Sequence, residues 1–250
     1  MKLKEEAIDY RDGDAELSGL LIWDGNDLAH PGLVVVHGGA GLDDHAKGRA
    51  RQFAELGLLV FACDMYGEGV MGDRERVLSC MQALVADRDK IARRVQAGVE
   101  VLASHRLLDG NIAAVGYCFG GRAVLEHART GADLAGAISV HGSLQTANPS
   151  SPGAVKTKVL VCHGALDPHV PTAQVTGFIE EMDAAGADFQ LIVYGGAMHG
   201  FTHDVGLQGP GVAYHALSDQ RSFLAIRAFL CEVFGTNGQS EDHPAAHDVR

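Results

Sequence analysis

The chain has 250 residues, a length typical of one large α/β domain, and 46% of its residues are apolar while 21% are charged. Its formal net charge of −12 argues against nucleic acid and anionic membranes, which attract positively charged proteins, and favours a small-molecule partner. The N-terminus has no apolar signal segment, and no stretch approaches the roughly 18 apolar residues of a membrane span, so we expect a cytoplasmic protein.

Short apolar runs alternate along the chain with longer amphipathic segments, as in a mostly parallel sheet covered by helices on both faces. The first two runs flank the turn residues RDGD and predict an antiparallel hairpin at the edge of the sheet. The eight predicted strands span residues 5–10, 15–23, 32–38, 56–64, 111–117, 134–142, 158–164 and 188–196. The predicted helices span roughly residues 44–56, 74–105, 119–130, 172–186 and 213–234. We therefore predict one α/β domain over residues 1–235, with no separate cap domain, and a polar, disordered tail over residues 236–250.

The segment GYCFGG, residues 116–121, has the pattern of a nucleophile elbow with a cysteine where serine is usual. It follows a predicted strand and precedes a predicted helix, which is the context that the elbow requires. Its glycines allow the strand and the helix to approach closely at a sharp turn. The helix N-terminus favours a thiolate over a thiol, so Cys118 is the candidate nucleophile.

A thiolate nucleophile needs a base and a group that orients this base, in the chain order nucleophile, acid, histidine. Asp167 follows the predicted strand at 158–164, and His199 follows the next one, at 188–196. Catalytic groups collect at these strand ends in open α/β sheets. The sequence thus predicts that His199 accepts the thiol proton and that Asp167 fixes the imidazole.

The segment HGGAG, residues 37–41, follows the first parallel strand, where an oxyanion hole of the HGGG type is expected. Glycines there let backbone N–H groups turn towards the nucleophile. We predict that the amides of Gly39 and Phe119 bind the oxyanion. The pattern implies no metal or cofactor.

The chain resembles the dienelactone hydrolase family of α/β-hydrolases over nearly its whole length before the tail. The similar segments are residues 37–69, 115–129, 140–144, 159–171 and 194–203, and the cysteine elbow makes the resemblance specific. It implies an α/β-hydrolase fold and hydrolysis of a small ester, lactone or enol-lactone, including the carboxymethylenebutenolidase type. By position, the family's Cys–His–Asp triad falls on Cys118, His199 and Asp167.

Two departures from the family pattern concern the substrate. Where the family carries an acidic residue that engages the cysteine, this chain has Gly38. Where it carries an arginine for the substrate carboxylate, shortly after the histidine, this chain has Thr202 and His203; a second arginine corresponds to Arg74 or Arg76. Arg74, Arg76 and His203 are therefore the candidate substrate-binding residues.

Two other functions fit the same residues. The chain could be a non-catalytic binding or regulatory member of the fold, in which the site survives only as a pocket. Cys118 could instead serve a thiol redox role, although the sequence offers no nearby resolving cysteine. A rate measurement on esters and lactones with wild type and Cys118→Ala tests the binding protein, and a hydrogen-peroxide titration of Cys118 tests the redox role.

Overall fold

The computed structural model describes residues 2–204 and 209–235. The strands are β1 (Lys4–Asp12), β2 (Ala15–Trp23), β3 (His30–Val36), β4 (Leu59–Cys63), β5 (Leu108–Tyr117), β6 (Gly136–Val140), β7 (Lys158–Gly164) and β8 (Phe189–Tyr194). The helices are α1 (Asp44–Ala54), α2 (Arg74–Val85), α3 (Arg88–Ala103), α4 (Phe119–Arg129), α5 (Thr172–Ala185) and α6 (Ala216–Val233). The tail predicted over residues 236–250 lies outside the described residues.

The eight strands form one sheet in the order β1-β2-β4-β3-β5-β6-β7-β8. Strands β3 to β8 are parallel to one another, whereas β1 pairs with β2, and β2 with β4, in the antiparallel sense. The predicted N-terminal hairpin at the sheet edge is thus confirmed, as is the mostly parallel eight-stranded α/β-hydrolase fold.

Alternate residues of the central strands face two separate apolar layers. Leu33 of β3 belongs to a buried cluster with Phe53 of α1 and Phe229 of α6. Its neighbour Val34 belongs to the opposite cluster, which includes Val95 of α3 and residues of α4. Both faces of the sheet are therefore covered, which explains why the central strands read as continuous apolar runs.

The prediction of one long helix over residues 74–105 was wrong. Helix α2 ends at Val85, and α3 begins at Arg88 after the cap residue Asp87. The Asp87 carboxylate accepts a hydrogen bond from the Lys90 amide at 2.9 Å. Aspartate is a preferred N-cap because its oxygen satisfies an otherwise unpaired helical N–H. This local bond divides a segment whose apolar periodicity continues through the break.

The parallel arrangement places the carboxyl ends of β3, β5, β7 and β8 at one edge of the sheet. The loops that follow these strands carry HGGAG, the elbow, Asp167 and His199. Four segments distant in sequence are thereby collected in one place. Within residues 2–204 and 209–235, no helix combines the length and apolarity needed to cross a bilayer.

Candidate active site

Cys118 occupies a sharp turn between β5 and α4. Its backbone has φ 53° and ψ −114°, a conformation that side-chain-bearing residues rarely adopt, and it costs about 1–3 kcal/mol. The flanking glycines make the turn sterically feasible. A Cβ on Gly116 would lie 2.0 Å from the Gly120 carbonyl oxygen, and one on Gly120 would lie 2.3 Å from the Val36 carbonyl oxygen. The close approach of the strand and the helix at this turn therefore requires glycine at both positions.

The structure brings Cys118, His199 and Asp167 into one hydrogen-bonded chain. His199 Nε2 lies 3.1 Å from Cys118 Sγ, and His199 Nδ1 lies 2.8 Å from Asp167 Oδ2. The other Asp167 oxygen accepts hydrogen bonds from the amides of His169 at 2.8 Å and Val170 at 3.2 Å. With both carboxylate oxygens engaged, the carboxylate has a fixed direction and holds the imidazole ring towards the sulfur.

The electrostatics of these three groups favour an ion pair of thiolate and imidazolium. Burial raises the pKa of the Cys118 thiol, but hydrogen bonds from His199 and from backbone amides outweigh burial, and the net pKa lies below its usual range. Burial opposes protonation of His199, yet Asp167 and Cys118 raise the pKa of this imidazole to about 10. A thiolate next to a protonated histidine is a strong nucleophile beside a proton donor.

The two amides predicted as oxyanion donors lie next to Cys118: Phe119 follows it in the chain, and a Cβ on Gly38, which precedes Gly39, would lie 3.7 Å from Cys118 Cβ. The backbone N–H groups of Phe119 and Gly39 are among the groups that lower the pKa of the Cys118 thiol. An acyl carbon bonded to this sulfur would place its oxygen within reach of the same N–H groups. These residues belong to α4 and to the loop after β3, so the donor pair joins two parts of the fold.

His141 is a component of the site that sequence reasoning missed. It is 1% exposed and adopts φ 43° directly after β6. Its Nδ1 accepts the Cys118 amide N–H at 3.1 Å, so its proton is on Nε2, which donates to Thr202 Oγ1 at 2.9 Å. Burial and the neighbouring histidines hold the pKa of His141 well below its usual range. His141 is thus a neutral link between the loops that carry Cys118 and His199.

Gly38 and His203 lie beside the nucleophile, as the resemblance implies. A Cβ built on Gly38 would lie 3.7 Å from both Cys118 Cβ and His203 Nε2. His203 is 6% exposed and stacks on His45 with ring centroids 3.6 Å apart. Burial and the Arg49 guanidinium lower the pKa of His203 to about 4, so this ring is neutral at physiological pH.

The structure does not bring Arg74 or Arg76 into contact with the triad. Both side chains are exposed at the start of α2. The Arg76 guanidinium donates to the Gly69 carbonyl oxygen at 2.9 Å, which keeps it on the preceding loop. Their role in substrate binding stays a prediction.

Comparison with known proteins shows to which family the chain belongs. The sequence model described as the dienelactone hydrolase family matches residues 18–234. The chain belongs to the dienelactone hydrolase family. It is therefore an enzyme of the carboxylic ester hydrolase type.

Individual proteins and solved structures are also similar to this chain. A dienelactone hydrolase-like promiscuous phosphotriesterase from metagenomic libraries has a TM-score of 0.86 and 36% identity, and the match covers 92% of this chain and 98% of that one. An uncharacterized protein of Caenorhabditis elegans is 36% identical over 158 residues, 60% of this chain and 99% of its own. A Salmonella typhimurium protein provisionally named carboxymethylenebutenolidase is 26% identical over 226 residues, 85% of this chain and 81% of its own.

Proposed function

We propose that this dienelactone hydrolase family member cleaves a small ester, lactone or enol-lactone by two successive acyl transfers through Cys118. The observation that carries the proposal is the hydrogen-bonded chain in which His199 Nε2 lies 3.1 Å from Cys118 Sγ and His199 Nδ1 lies 2.8 Å from Asp167 Oδ2, beside two backbone amides that lower the thiol pKa. A nucleophile in acyl transfer needs a base that accepts its proton and nearby N–H groups that bind the substrate oxyanion.

In the first half of the proposed reaction, the Cys118 thiolate attacks the substrate carbonyl carbon and forms a carbon–sulfur bond. The carbonyl electron pair moves to oxygen, where the N–H groups of Phe119 and Gly39 bind the oxyanion. The oxyanion then re-forms the carbonyl, the carbon–oxygen bond to the alcohol breaks, and the His199 imidazolium protonates the departing alkoxide. The products are a thioester on Cys118 and an alcohol, which stays attached when the substrate is a lactone.

In the second half, neutral His199 accepts a proton from a water molecule, whose oxygen attacks the thioester carbon. The same two amides bind the second oxyanion, and its collapse releases the carboxylic acid and the Cys118 thiolate. His199 remains protonated, so the ion pair is restored. Asp167 takes no proton; its carboxylate orients the ring and stabilises the positive charge.

We further propose that the preferred acyl group is uncharged. His203, the residue beside Cys118 and Gly38 that was predicted as a carboxylate anchor, is neutral because its pKa is about 4. The nearby Arg49 guanidinium is engaged by Asp219 at 2.6 Å and by the Thr202 carbonyl oxygen at 2.8 Å. A substrate carboxylate would therefore be desolvated at this position without a compensating free cation.

A neutral phosphotriester is a second candidate substrate. The structural relative at 36% identity is itself a promiscuous phosphotriesterase, and the match covers 92% of this chain. A phosphoryl oxygen carries the developing negative charge that backbone N–H donors stabilise, so the same amides suit it. This activity would share Cys118 with ester hydrolysis.

The test is a rate comparison of wild-type protein, Cys118→Ala and Cys231→Ala on aryl esters, lactones and one aryl phosphotriester. The exposed Cys231 lies in α6 and serves as the matched cysteine control. We expect activity in wild type and Cys231→Ala, and rates near background in Cys118→Ala. Equal rates of all three proteins on every substrate would contradict a Cys118 nucleophile.

A further inference from the structure

The imidazole of His37, the residue that begins HGGAG, has a fixed tautomer in the core. Its Nε2 lies 3.0 Å from the Met65 backbone nitrogen, which can only donate, so Nε2 is the acceptor. The proton is therefore on Nδ1, which donates to the Gly38 carbonyl oxygen at 2.6 Å. His37 is 0% exposed, and burial lowers its pKa, so it is neutral and has no free nitrogen for proton transfer.

The Gly38 carbonyl and the Gly39 amide belong to the same peptide unit. In a planar trans peptide the C=O and N–H bonds point in opposite directions. A hydrogen bond that fixes the Gly38 oxygen at His37 therefore also fixes the direction of the Gly39 N–H. This peptide unit lies beside the nucleophile, since a Cβ on Gly38 would lie 3.7 Å from Cys118 Cβ, and the Gly39 N–H is among the groups that lower the pKa of the Cys118 thiol.

The next peptide unit is held as well. The Tyr66 hydroxyl donates to the Gly39 carbonyl oxygen at 3.1 Å. Tyr66 is itself placed by Asp64, whose carboxylate accepts the Tyr66 amide at 2.9 Å and the Gly67 amide at 3.0 Å. The His37 and Tyr66 rings meet edge to face with centroids 4.7 Å apart. The loop after β4 thus holds the Gly39 carbonyl directly through Tyr66, and the Gly38 carbonyl indirectly through the bond of Met65 to His37.

Such support is needed because Gly39 lies between Gly38 and Ala40 in a loop with little side-chain bulk. Glycine has access to more backbone conformations than any other residue, so a free Gly38–Gly39 peptide could rotate and turn its N–H away. A Cβ on Gly39 would meet only Met81 Sδ, at 3.4 Å, so packing alone does not restrict this peptide.

We propose that His37 and Tyr66 are positioning residues that hold the Gly39 N–H at the oxyanion site, through the Gly38 and Gly39 carbonyl oxygens respectively. The inference rests on the proposed function, in which this N–H stabilises the acyl-transfer oxyanion. Neither residue gains or loses a proton in the reaction. They fix the geometry of a donor whose misplacement by about 1 Å is enough to lower a rate about 10²-fold.

Two substitutions at residue 37 separate the two hydrogen bonds of the imidazole. In His37→Asn the side-chain amide nitrogen replaces Nδ1 and can still donate to the Gly38 oxygen, while the acceptor for Met65 is lost. In His37→Gln the amide group reaches the Nε2 position and can accept from Met65, while the donor to Gly38 is lost. Tyr66→Phe removes only the hydroxyl and keeps the ring.

The measurements are the pKa of the Cys118 thiol, from the pH dependence of iodoacetamide alkylation, the kcat and KM for an ester that wild type hydrolyses, and the thermal unfolding midpoint. We expect His37→Gln and Tyr66→Phe to raise the thiol pKa, because the Gly39 N–H no longer stabilises the thiolate, and to lower kcat by about 10- to 10²-fold with little change in KM. His37→Asn should stay within about tenfold of wild type in kcat.

Folded His37→Gln and Tyr66→Phe proteins with wild-type thiol pKa and kcat would overturn the proposal, as would equal impairment of the Asn and Gln variants. If neither His37 variant folds, Tyr66→Phe decides by the same two readouts. The thiol pKa needs no substrate. A wild type that hydrolyses no ester would therefore refute the proposed function, while the alkylation profiles would still test the positioning of Gly39.

Discussion

The backbone amide of Cys118 donates a hydrogen bond to His141 Nδ1 at 3.1 Å, and both residues have positive φ, 53° and 43° respectively. Within residues 2–204 and 209–235 they are the two non-glycine residues in this region of backbone space. Residues held in such conformations cluster at functional sites, where the surrounding structure stabilises them. The turn at Cys118 supplies the donor of this hydrogen bond and the turn at His141 supplies the acceptor, so the elbow depends on the loop after β6.

Replacement of His141 should therefore affect both the fold and the chemistry. We expect His141→Ala to lower the free energy of unfolding by about 1–3 kcal/mol, because Thr202 loses a buried partner and the Cys118 N–H keeps only the Val140 carbonyl oxygen, at 3.0 Å. It should also lower kcat/KM. His141→Asn should retain more of both, since asparagine tolerates positive φ and its Oδ1 can accept the Cys118 N–H. Denaturant unfolding and steady-state kinetics check this, and an alanine variant as stable and active as the asparagine variant would contradict it.

The pH dependence follows from the two shifted pKa values of the triad. The thiolate forms as pH rises through the lowered pKa of Cys118, and the proton donor is lost as pH rises through the His199 pKa of about 10. We expect a bell-shaped profile of kcat/KM whose falling limb lies near that value.

Asp167→Asn should narrow this profile from both sides. Removal of the carboxylate lowers the pKa of His199, so the falling limb moves to lower pH. A less protonated His199 stabilises the Cys118 thiolate less, so the rising limb moves to higher pH. The comparison of kcat/KM across pH in the two proteins measures both limbs. Unshifted limbs in the variant would show that Asp167 does not set the charge of His199.

Close packing at the elbow predicts opposite effects for two glycine substitutions. In Gly120→Ala the new Cβ would lie 2.3 Å from the Val36 carbonyl oxygen, so backbone must move, at a cost of about 3 kcal/mol. In Gly177→Ala, at an exposed position of α5, the Cβ meets nothing within 4 Å, and better helix propensity should stabilise the protein by up to about 1 kcal/mol. Chemical denaturation of both variants tests this. Equal stabilities would mean that the strand and helix do not approach as described.

The neutral His203 predicts a preference for uncharged acyl groups. A neutral ester should have a higher kcat/KM than the same ester with a carboxylate on its acyl chain, because His203 is neutral and the Arg49 guanidinium is already paired with Asp219. The net charge of −12 works in the same direction by repelling anions. The matched pair of substrates is measured at low and high salt. A preference for the charged ester that persists at high salt would reveal an anchor elsewhere, and Arg74 and Arg76 would be the first to substitute.

Most of the sheet and the positions of Cys118, Asp167 and His199 could be predicted from sequence, since each follows an apolar strand and parallel strands end at one edge. The residues that hold these groups could not. His141 lies in the predicted strand 134–142, and its residue type indicates neither its positive φ nor its hydrogen bond with the Cys118 amide. The role of Tyr66 depends on contact between two loops separated by a helix and a strand. Asp87 is a residue type that often caps helices, but the apolar periodicity on both sides of it favoured one continuous helix over residues 74–105.

The most direct test of the account is to identify the covalent intermediate. Wild-type protein is mixed with a neutral ester whose thioester hydrolyses slowly, quenched in acid and digested with trypsin, which places Cys118 in the peptide of residues 107–122. We predict a mass increase equal to the acyl group on this peptide, reversed by hydroxylamine and absent from Cys118→Ala. An acyl group found on another residue, or full turnover by Cys118→Ala, would contradict acyl transfer through Cys118.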